Sequence, residues 1–261
     1  MERRAGLGCY VSWIALAVAF SPVLVDLARN WVAEPTDRVV LIAPLLLLLA
    51  LRRGTANGRA GSGLAAGSAI AIGIALELLG LLSETRSIAR IGLPIAALGV
   101  AGWNGRPALA VAALVFFAIP IPDTLLLLAS PALESAVVEA AGSILQGLGA
   151  SVQAHGSSLV ASGGRINLHP MDGGATLAIV LGALGWYSAA RLGEGVRRCG
   201  RRAALLCLLA LPLQVLVVVV TGALLAAGHL DASRFWLRHG AWITVFLLGL
   251  ACVHRGSLRF A

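Results

Sequence analysis

Three short stretches decide the fold: VFFAIPIP at residues 115–122, GLGASVQAHG at 147–156 and GGRINLHPMDGG at 163–174. Pro120 and Pro122 end an apolar run, because each proline lacks a backbone donor and disfavours helix in the residue before it. A long segment with a polar end follows, and the next apolar run begins after Asp172. This pattern is typical of a chain that leaves the membrane, folds a small polar segment outside it and re-enters the hydrocarbon.

Composition places the whole chain in a membrane. Hydrophobic residues make up 59% of the sequence and charged residues only 12%, with a mean hydropathy of +0.90, which excludes a soluble globular domain. The sequence predicts an all-α integral membrane protein, one polytopic domain over residues 1–261, with about eight transmembrane helices and a small extracytoplasmic β-hairpin. The predicted spans lie near residues 10–28, 39–51, 62–82, 88–102, 107–121, 173–190, 203–227 and 240–254.

Arginine placement predicts the orientation of these spans. With a cytoplasmic N-terminus, thirteen of the twenty arginines fall on the cytoplasmic side, as the positive-inside rule requires. We therefore expect a multi-pass protein of the bacterial inner membrane, with both termini cytoplasmic and residues of about 120–172 outside. The net charge of +8 is a topology signal and an attraction for membrane lipid, its expected partner, and it does not indicate nucleic-acid binding.

The external segment contains two patterns. Apolar residues recur at helical spacing and predict an amphipathic helix with Glu134, Ser135, Glu139 and Gln146 on its polar face; the apolar positions are Leu133, Val137, Ala141, Ile144, Leu145 and Leu148. From residue 150 to 168 the period falls to about two around Gly163 and Gly164, which predicts a hairpin.

Cysteine placement leaves no thiol outside. Cys9, Cys199, Cys207 and Cys252 all lie at or near the predicted cytoplasmic face. External disulfides are therefore not expected, and no other cysteine can supply a nucleophile beside the external segment.

Several motifs follow one another in the order of a known family. These are Trp31, the exit from Phe117 to Pro122, the Gly-x-x-Val segment from Gly149 to Val152, His155 with Gly156, and Pro212. In this order and spacing the chain resembles the exosortase and archaeosortase family of membrane-embedded cysteine transpeptidases, over most of residues 30–250. The resemblance implies a bundle of membrane helices that sorts exported proteins bearing a C-terminal signal of short motif, hydrophobic helix and basic tail.

The catalytic positions of the family hold other residues here. By resemblance, Asp172 stands at the nucleophilic cysteine, Val218 at an asparagine and Thr221 at an arginine. The family histidine corresponds to Leu237, or to His239 if the register shifts by two residues. A carboxylate would form a labile anhydride where a thiolate forms a thioester, and threonine offers no guanidinium to an oxyanion. The resemblance therefore implies a degenerate member with a binding or accessory role, whose partner would be the hydrophobic C-terminal tail of exported proteins.

Other interpretations stay open. Asp172, Thr221 and His239 could form an aspartate-centred peptidase site, although an aspartate before an apolar helix is also a favoured N-cap. A small-solute transporter or lipid-binding protein is the third class. Asp26 and Glu77 lie inside apolar runs, where a carboxylate is a candidate functional group. No cofactor or metal is expected, and the polar stretch from His229 to His239 is expected to be a solvated external loop.

Overall fold

A computed structural model describes residues 2–33, 43–44, 46–47, 63–104, 110, 112–119, 123–168, 174–240 and 243. Most of the spans predicted near residues 39–51 and 240–254, and part of the span predicted near 107–121, lie outside these ranges. The chain is mostly helical, with one small sheet. Its elements are α1 Glu2–Ala19, α2 Ser21–Ala33, α3 Gly63–Leu82, α4 Arg86–Asn104, α5 Leu114–Phe117, α6 Asp123–Gly147, β1 Val152–His155, β2 Ser158–Ala161, β3 Gly164–Asn167, α7 Ala175–Arg191 and α8 Val196–Ala226. Residues 230–240 are also helical, and we name them the 230–240 helix.

Membrane-length helices are present. Within the described ranges, α3 and α8 are long and apolar enough to cross a membrane, and α1 with α2 would make a third if they form one span. The segment predicted as a straight span at 10–28 is bent by 76° between these two helices. Pro22 accounts for the break, because it cannot donate to the carbonyl group one turn earlier and its ring crowds that turn. The prediction of eight spans remains a prediction.

The described chain divides into two compact units: residues 1–120 with 182–205, and residues 121–181 with 206–261. The expectation of a single polytopic domain over residues 1–261 remains a prediction.

In the first unit, α3 and α4 pack closely. A Cβ atom added at Gly73 would lie 2.7 Å from the carbonyl oxygen of Gly92, and one added at Gly99 would lie 2.7 Å from that of Ala66. Small residues at such positions let two helix backbones approach, which is how membrane helices gain packing contacts. Phe20 and Leu27 are fully buried beside these helices, in a cluster that includes Ala96 and Ala97 of α4.

Asp26 of α2 is bound by two arginines of α4. Its Oδ2 accepts hydrogen bonds from Arg90 Nε at 2.9 Å and Nη2 at 2.7 Å, and its Oδ1 accepts one from Arg86 Nη1 at 3.3 Å. Two N–H groups of one guanidinium on a single carboxylate oxygen, with a second arginine on the other oxygen, compensate the cost of removing the carboxylate from water. The ion pairs therefore give this acidic residue a structural explanation.

In the second unit, α6 presents a different face from the one predicted. The helix begins at Asp123, ten residues before the expected apolar stripe. Val137, Ala141 and Leu145 are buried as expected, and Val138 joins them. The other members of the predicted apolar face, Leu133, Ile144 and Leu148, are exposed, whereas Glu134 of the predicted polar face is buried. The buried stripe runs through positions 134, 138, 141 and 145, so the face is rotated toward Glu134.

The predicted hairpin is present as β2 and β3, within a three-stranded antiparallel sheet of order β1-β2-β3. Leu159 pairs with Ile166, and both are buried, as the period of two predicted. The additional strand is β1, which pairs with β2 across a tight turn at Gly156, where φ is +56°. The β2–β3 turn lies so close to the end of α8 that a side chain on Gly163 would collide with the carbonyl oxygen of Leu225.

Candidate functional site

Asp172, which the resemblance places at the family cysteine, lies just outside the described residues. Asp172, with His169 before it, falls in the range 169–173, and the description resumes at Gly174. Gly174 has a φ of +96°, and an added Cβ would lie 3.3 Å from the Cβ of Gln214. The residue that precedes α7 therefore packs against the middle of α8.

Thr221 lies on α8 and is 1% exposed. Its hydroxyl donates a 2.8 Å hydrogen bond to the carbonyl oxygen of Val217, one turn earlier. Threonine in a helix commonly makes this bond, and the bond satisfies the hydroxyl donor within its own helix. The Thr221 hydroxyl thus donates to its own helix backbone, at the position that the resemblance assigns to the family arginine.

Two other positions that the resemblance assigns to family residues lie in one apolar cluster. Val218 is fully buried, and Leu237 of the 230–240 helix packs against the same cluster. We name this group the apolar cluster; its buried members are Val137, Val138, Ala141, Leu145, Val152, Leu159, Leu168 and Val218. The structure therefore brings together the positions that the resemblance assigns to the family asparagine and, in the unshifted register, to the family histidine. Both positions hold apolar side chains.

His239 lies on a different face. Its side chain is exposed, and its ring contacts that of Phe235 with the centroids 4.7 Å apart. Residues 230–240 are helical, so the loop predicted from His229 to His239 is wrong for these residues. Two residues along a helix rotate a side chain by about 200°, which explains why Leu237 faces the apolar cluster while His239 is exposed.

The other motif residues shape the backbone. Gly149, with a φ of +83°, ends α6: its N–H donates to the carbonyl group of Gln146 and that of Ala150 to the carbonyl group of Leu145, both at 2.9 Å. This is a Schellman motif, which satisfies carbonyl groups at a helix end. Trp31 lies in the last turn of α2 and packs against the first unit's core.

The family model that describes transmembrane exosortases matches residues 31–170, more than half of the sequence. The chain belongs to the exosortase family. Among curated proteins and solved structures, none matches it. The match ends two residues before Asp172, so the roles of Asp172, Thr221 and His239 rest on the motif resemblance alone.

In this exosortase-family chain, each of the two described thiols lies against a backbone carbonyl oxygen. Cys199 is buried, with its Sγ 3.4 Å from the carbonyl oxygen of Glu194. Cys207 Sγ lies 3.2 Å from the carbonyl oxygen of Ala178, between α7 and α8. The structure does not describe the side chains of Cys9 and Cys252. Among the described residues, no group of three His, Cys, Asp or Glu side chains could hold a metal ion.

Two polar features were missed by the sequence reasoning. Gln214 is 3% exposed in the middle of α8, where an amide in an otherwise apolar run was the available signal. Arg165 of β3 joins Ser158 and Asn167 in a hydrogen-bonded network. The available signal was a charged residue on a predicted hairpin strand.

Proposed function

We propose that this exosortase-family protein takes part in sorting exported proteins without catalysing the transpeptidase reaction. The observation that carries the proposal is the apolar cluster. The cluster contains Val218, and Leu237 packs against it. Thr221, one turn from Val218, donates its hydroxyl hydrogen to a backbone carbonyl group. An acyl-transfer site needs a nucleophile, a proton-transfer group and a donor for the oxyanion, held close together.

The chemistry at Asp172 supports the same proposal. A thiolate attacks a substrate carbonyl to give a thioester, which an amine or water can then resolve. A carboxylate at this position would give an anhydride, and neither Thr221 nor Leu237 could stabilise the developing negative charge or move a proton. The role that remains is to bind the hydrophobic C-terminal tail of exported proteins, or to assist another sorting component.

The location proposed is the bacterial inner membrane, with several spans and both termini in the cytoplasm. The bias of thirteen arginines of twenty supports it. The ion pairs of Asp26 with Arg86 and Arg90 agree with this arrangement, because all three residues fall on the outer side of the predicted topology. The side chains of α8 that are exposed, including Leu208 and Leu209, suit contact with lipid.

The test measures processing in cells. A strain deleted for the gene would express the full chain, a variant without its four cysteines, Asp172→Asn, or the control Asp231→Asn, which removes an exposed carboxylate from the 230–240 helix. The reporter is a tagged exported protein with a C-terminal signal of the family type, followed by its gel mobility. A cysteine-bearing exosortase serves as the positive control.

We expect the reporter to stay uncleaved with every version of this chain, and a photo-crosslinker in its hydrophobic tail to attach it to the chain. Cleavage that is lost in Asp172→Asn and kept in Asp231→Asn would refute the proposal in favour of an aspartate-centred peptidase. Cleavage that is lost only in the cysteine-free variant would mean that a thiol acts after all. Absence of both cleavage and crosslinking would exclude tail binding.

A further inference from the structure

A basic cleft lies between the sheet and the helix that follows α8. It has a volume of about 340 Å³ and is lined by Arg165, Ile166 and Asn167 of β3 and by Arg234, Leu237 and Arg238 of the 230–240 helix. We name it the arginine cleft. Three of its six lining residues carry a positive charge.

Arg165 is fixed in place by its own strand pair. Its Nε donates to Asn167 Oδ1 at 2.9 Å, and its Nη2 donates to Ser158 Oγ at 2.8 Å. Ser158 Oγ in turn donates to Asn167 Oδ1 at 2.9 Å, which closes a ring of three hydrogen bonds. A guanidinium has five N–H groups, so three of those of Arg165 are left for another acceptor. The planar fork is held before any ligand arrives, which lowers the entropy lost on binding.

Arg234 and Arg238 supply the other two positive charges of the arginine cleft. They stand four residues apart on the 230–240 helix, so their side chains share one face, and both are exposed. Like charges at this spacing repel each other. Throughout the described part of the chain, no carboxylate pairs with Arg165, Arg234 or Arg238, whereas Arg90 and Arg202 each bind one. Asp231 lies on the same helix and forms no ion pair with either arginine.

We propose that the arginine cleft binds a phosphate group, carried either by the headgroup of an anionic phospholipid or by a soluble phosphate. Phosphate fits because its several oxygens accept from guanidinium forks that arrive from different directions, and its charge relieves the repulsion among the three arginines. The cleft also lies near the end of α8, a helix that is long and apolar enough to cross a membrane. The 230–240 helix begins four residues after α8 ends at Ala226, and Ser162 of the β2–β3 turn donates to the carbonyl oxygen of Ala226 at 3.2 Å. Phe235, which is 59% exposed, adds an apolar side chain beside the two arginines.

The experiment uses the full chain purified in a non-ionic detergent. Its ligands are a short-chain phosphatidylglycerol, the matching phosphatidylcholine and inorganic phosphate, and binding is measured by titration of protein fluorescence and by native mass spectrometry. The variants are Arg238→Gln and Arg234→Gln, whose exposed side chains can change without disturbing the fold. The matched control is Arg201→Gln, which removes the same charge from an exposed position at the start of α8.

We expect phosphatidylglycerol to bind more tightly than phosphatidylcholine, and each cleft variant to weaken that binding about tenfold, the equivalent of about 1.4 kcal/mol. Arg201→Gln should leave the affinity unchanged. Binding of inorganic phosphate at comparable affinity would identify a soluble phosphate as the ligand, while binding of the lipid alone would identify the headgroup. The proposal is overturned if neither binds, or if Arg201→Gln weakens binding as much as the cleft variants do.

Discussion

The two arginines that bind Asp26 make it possible to test whether this carboxylate is structural. Arg90 donates two hydrogen bonds to Oδ2, at 2.9 and 2.7 Å, from a side chain that is 14% exposed. Arg86 donates one bond to Oδ1, at 3.3 Å, from a side chain that is 76% exposed. The two ion pairs share one carboxylate. They differ in the number of hydrogen bonds and in how strongly solvent screens each arginine.

The change Arg90→Gln should lower the free energy of unfolding by about 2 kcal/mol, since hydrogen bonds to charged groups contribute roughly 1.5–3 kcal/mol. The change Arg86→Gln should lower it by less than about 1 kcal/mol, the usual range for an exposed ion pair. In 1 M salt, where the screening length is about 3 Å, the effect of Arg86→Gln should vanish. Most of the effect of Arg90→Gln should remain.

The assay is unfolding of the full chain in mixed micelles by titration with sodium dodecyl sulfate, combined with double-mutant cycles against Asp26→Asn. We expect a coupling energy above about 1 kcal/mol for Asp26 with Arg90 and below about 0.5 kcal/mol for Asp26 with Arg86. Equal couplings would refute the reasoning from burial and geometry. If Asp26→Asn left the stability unchanged but abolished the biological role, the carboxylate would be functional.

Three further predictions follow from the second unit and the topology. In a cysteine-free background, Ser162→Cys and Ala232→Cys, both at exposed positions, should react with a membrane-impermeant thiol reagent added outside intact cells; reaction only after lysis would reverse the proposed orientation. Gly222→Ala should destabilise the chain by about 1–3 kcal/mol, because the added methyl group would overlap leucine side chains of α6 and β2. The control Gly67→Ala places its methyl group in open space and should not destabilise the chain. Equal melting temperatures of the two variants would contradict this packing. Thr221→Val should cost no more than about 1 kcal/mol and leave reporter crosslinking unchanged, and a loss of crosslinking would give the hydroxyl a functional role.

The β2–β3 hairpin was largely predictable, because a hairpin has a local sequence pattern. Ile166 is buried between exposed Arg165 and Asn167 and pairs with buried Leu159, and the turn between these two strands requires small residues. β1 was harder to predict, since Gln153 and His155 put two polar residues into its four positions. Its register follows from pairing with β2, which is a contact that no local pattern contains.

The buried face of α6 was predicted only in part: Val137, Ala141 and Leu145 are buried as expected, while Leu133, Ile144 and Leu148 are exposed. Periodicity identifies a helix, but the face it buries depends on which neighbour covers it. Ile144 and Leu148 fit the apolar period and are nevertheless exposed. Glu134 is buried because its position falls on the stripe that contacts the rest of the second unit.

The structure separates Leu237 and His239, the two candidate positions for the family histidine. Counting along the sequence leaves Leu237 and His239 as alternatives, since a shift of two residues is small in a loop. In a helix the same shift turns the side chain by about 200°, so only one of the two positions can face α8. Leu237 packs against the apolar cluster that contains Val218, while His239 is exposed and contacts Phe235. Position 237, and not position 239, therefore lies beside the apolar cluster that holds Val218, the position that the resemblance assigns to the family asparagine. By that resemblance a histidine would stand at position 237, and the leucine found there offers no group for proton transfer.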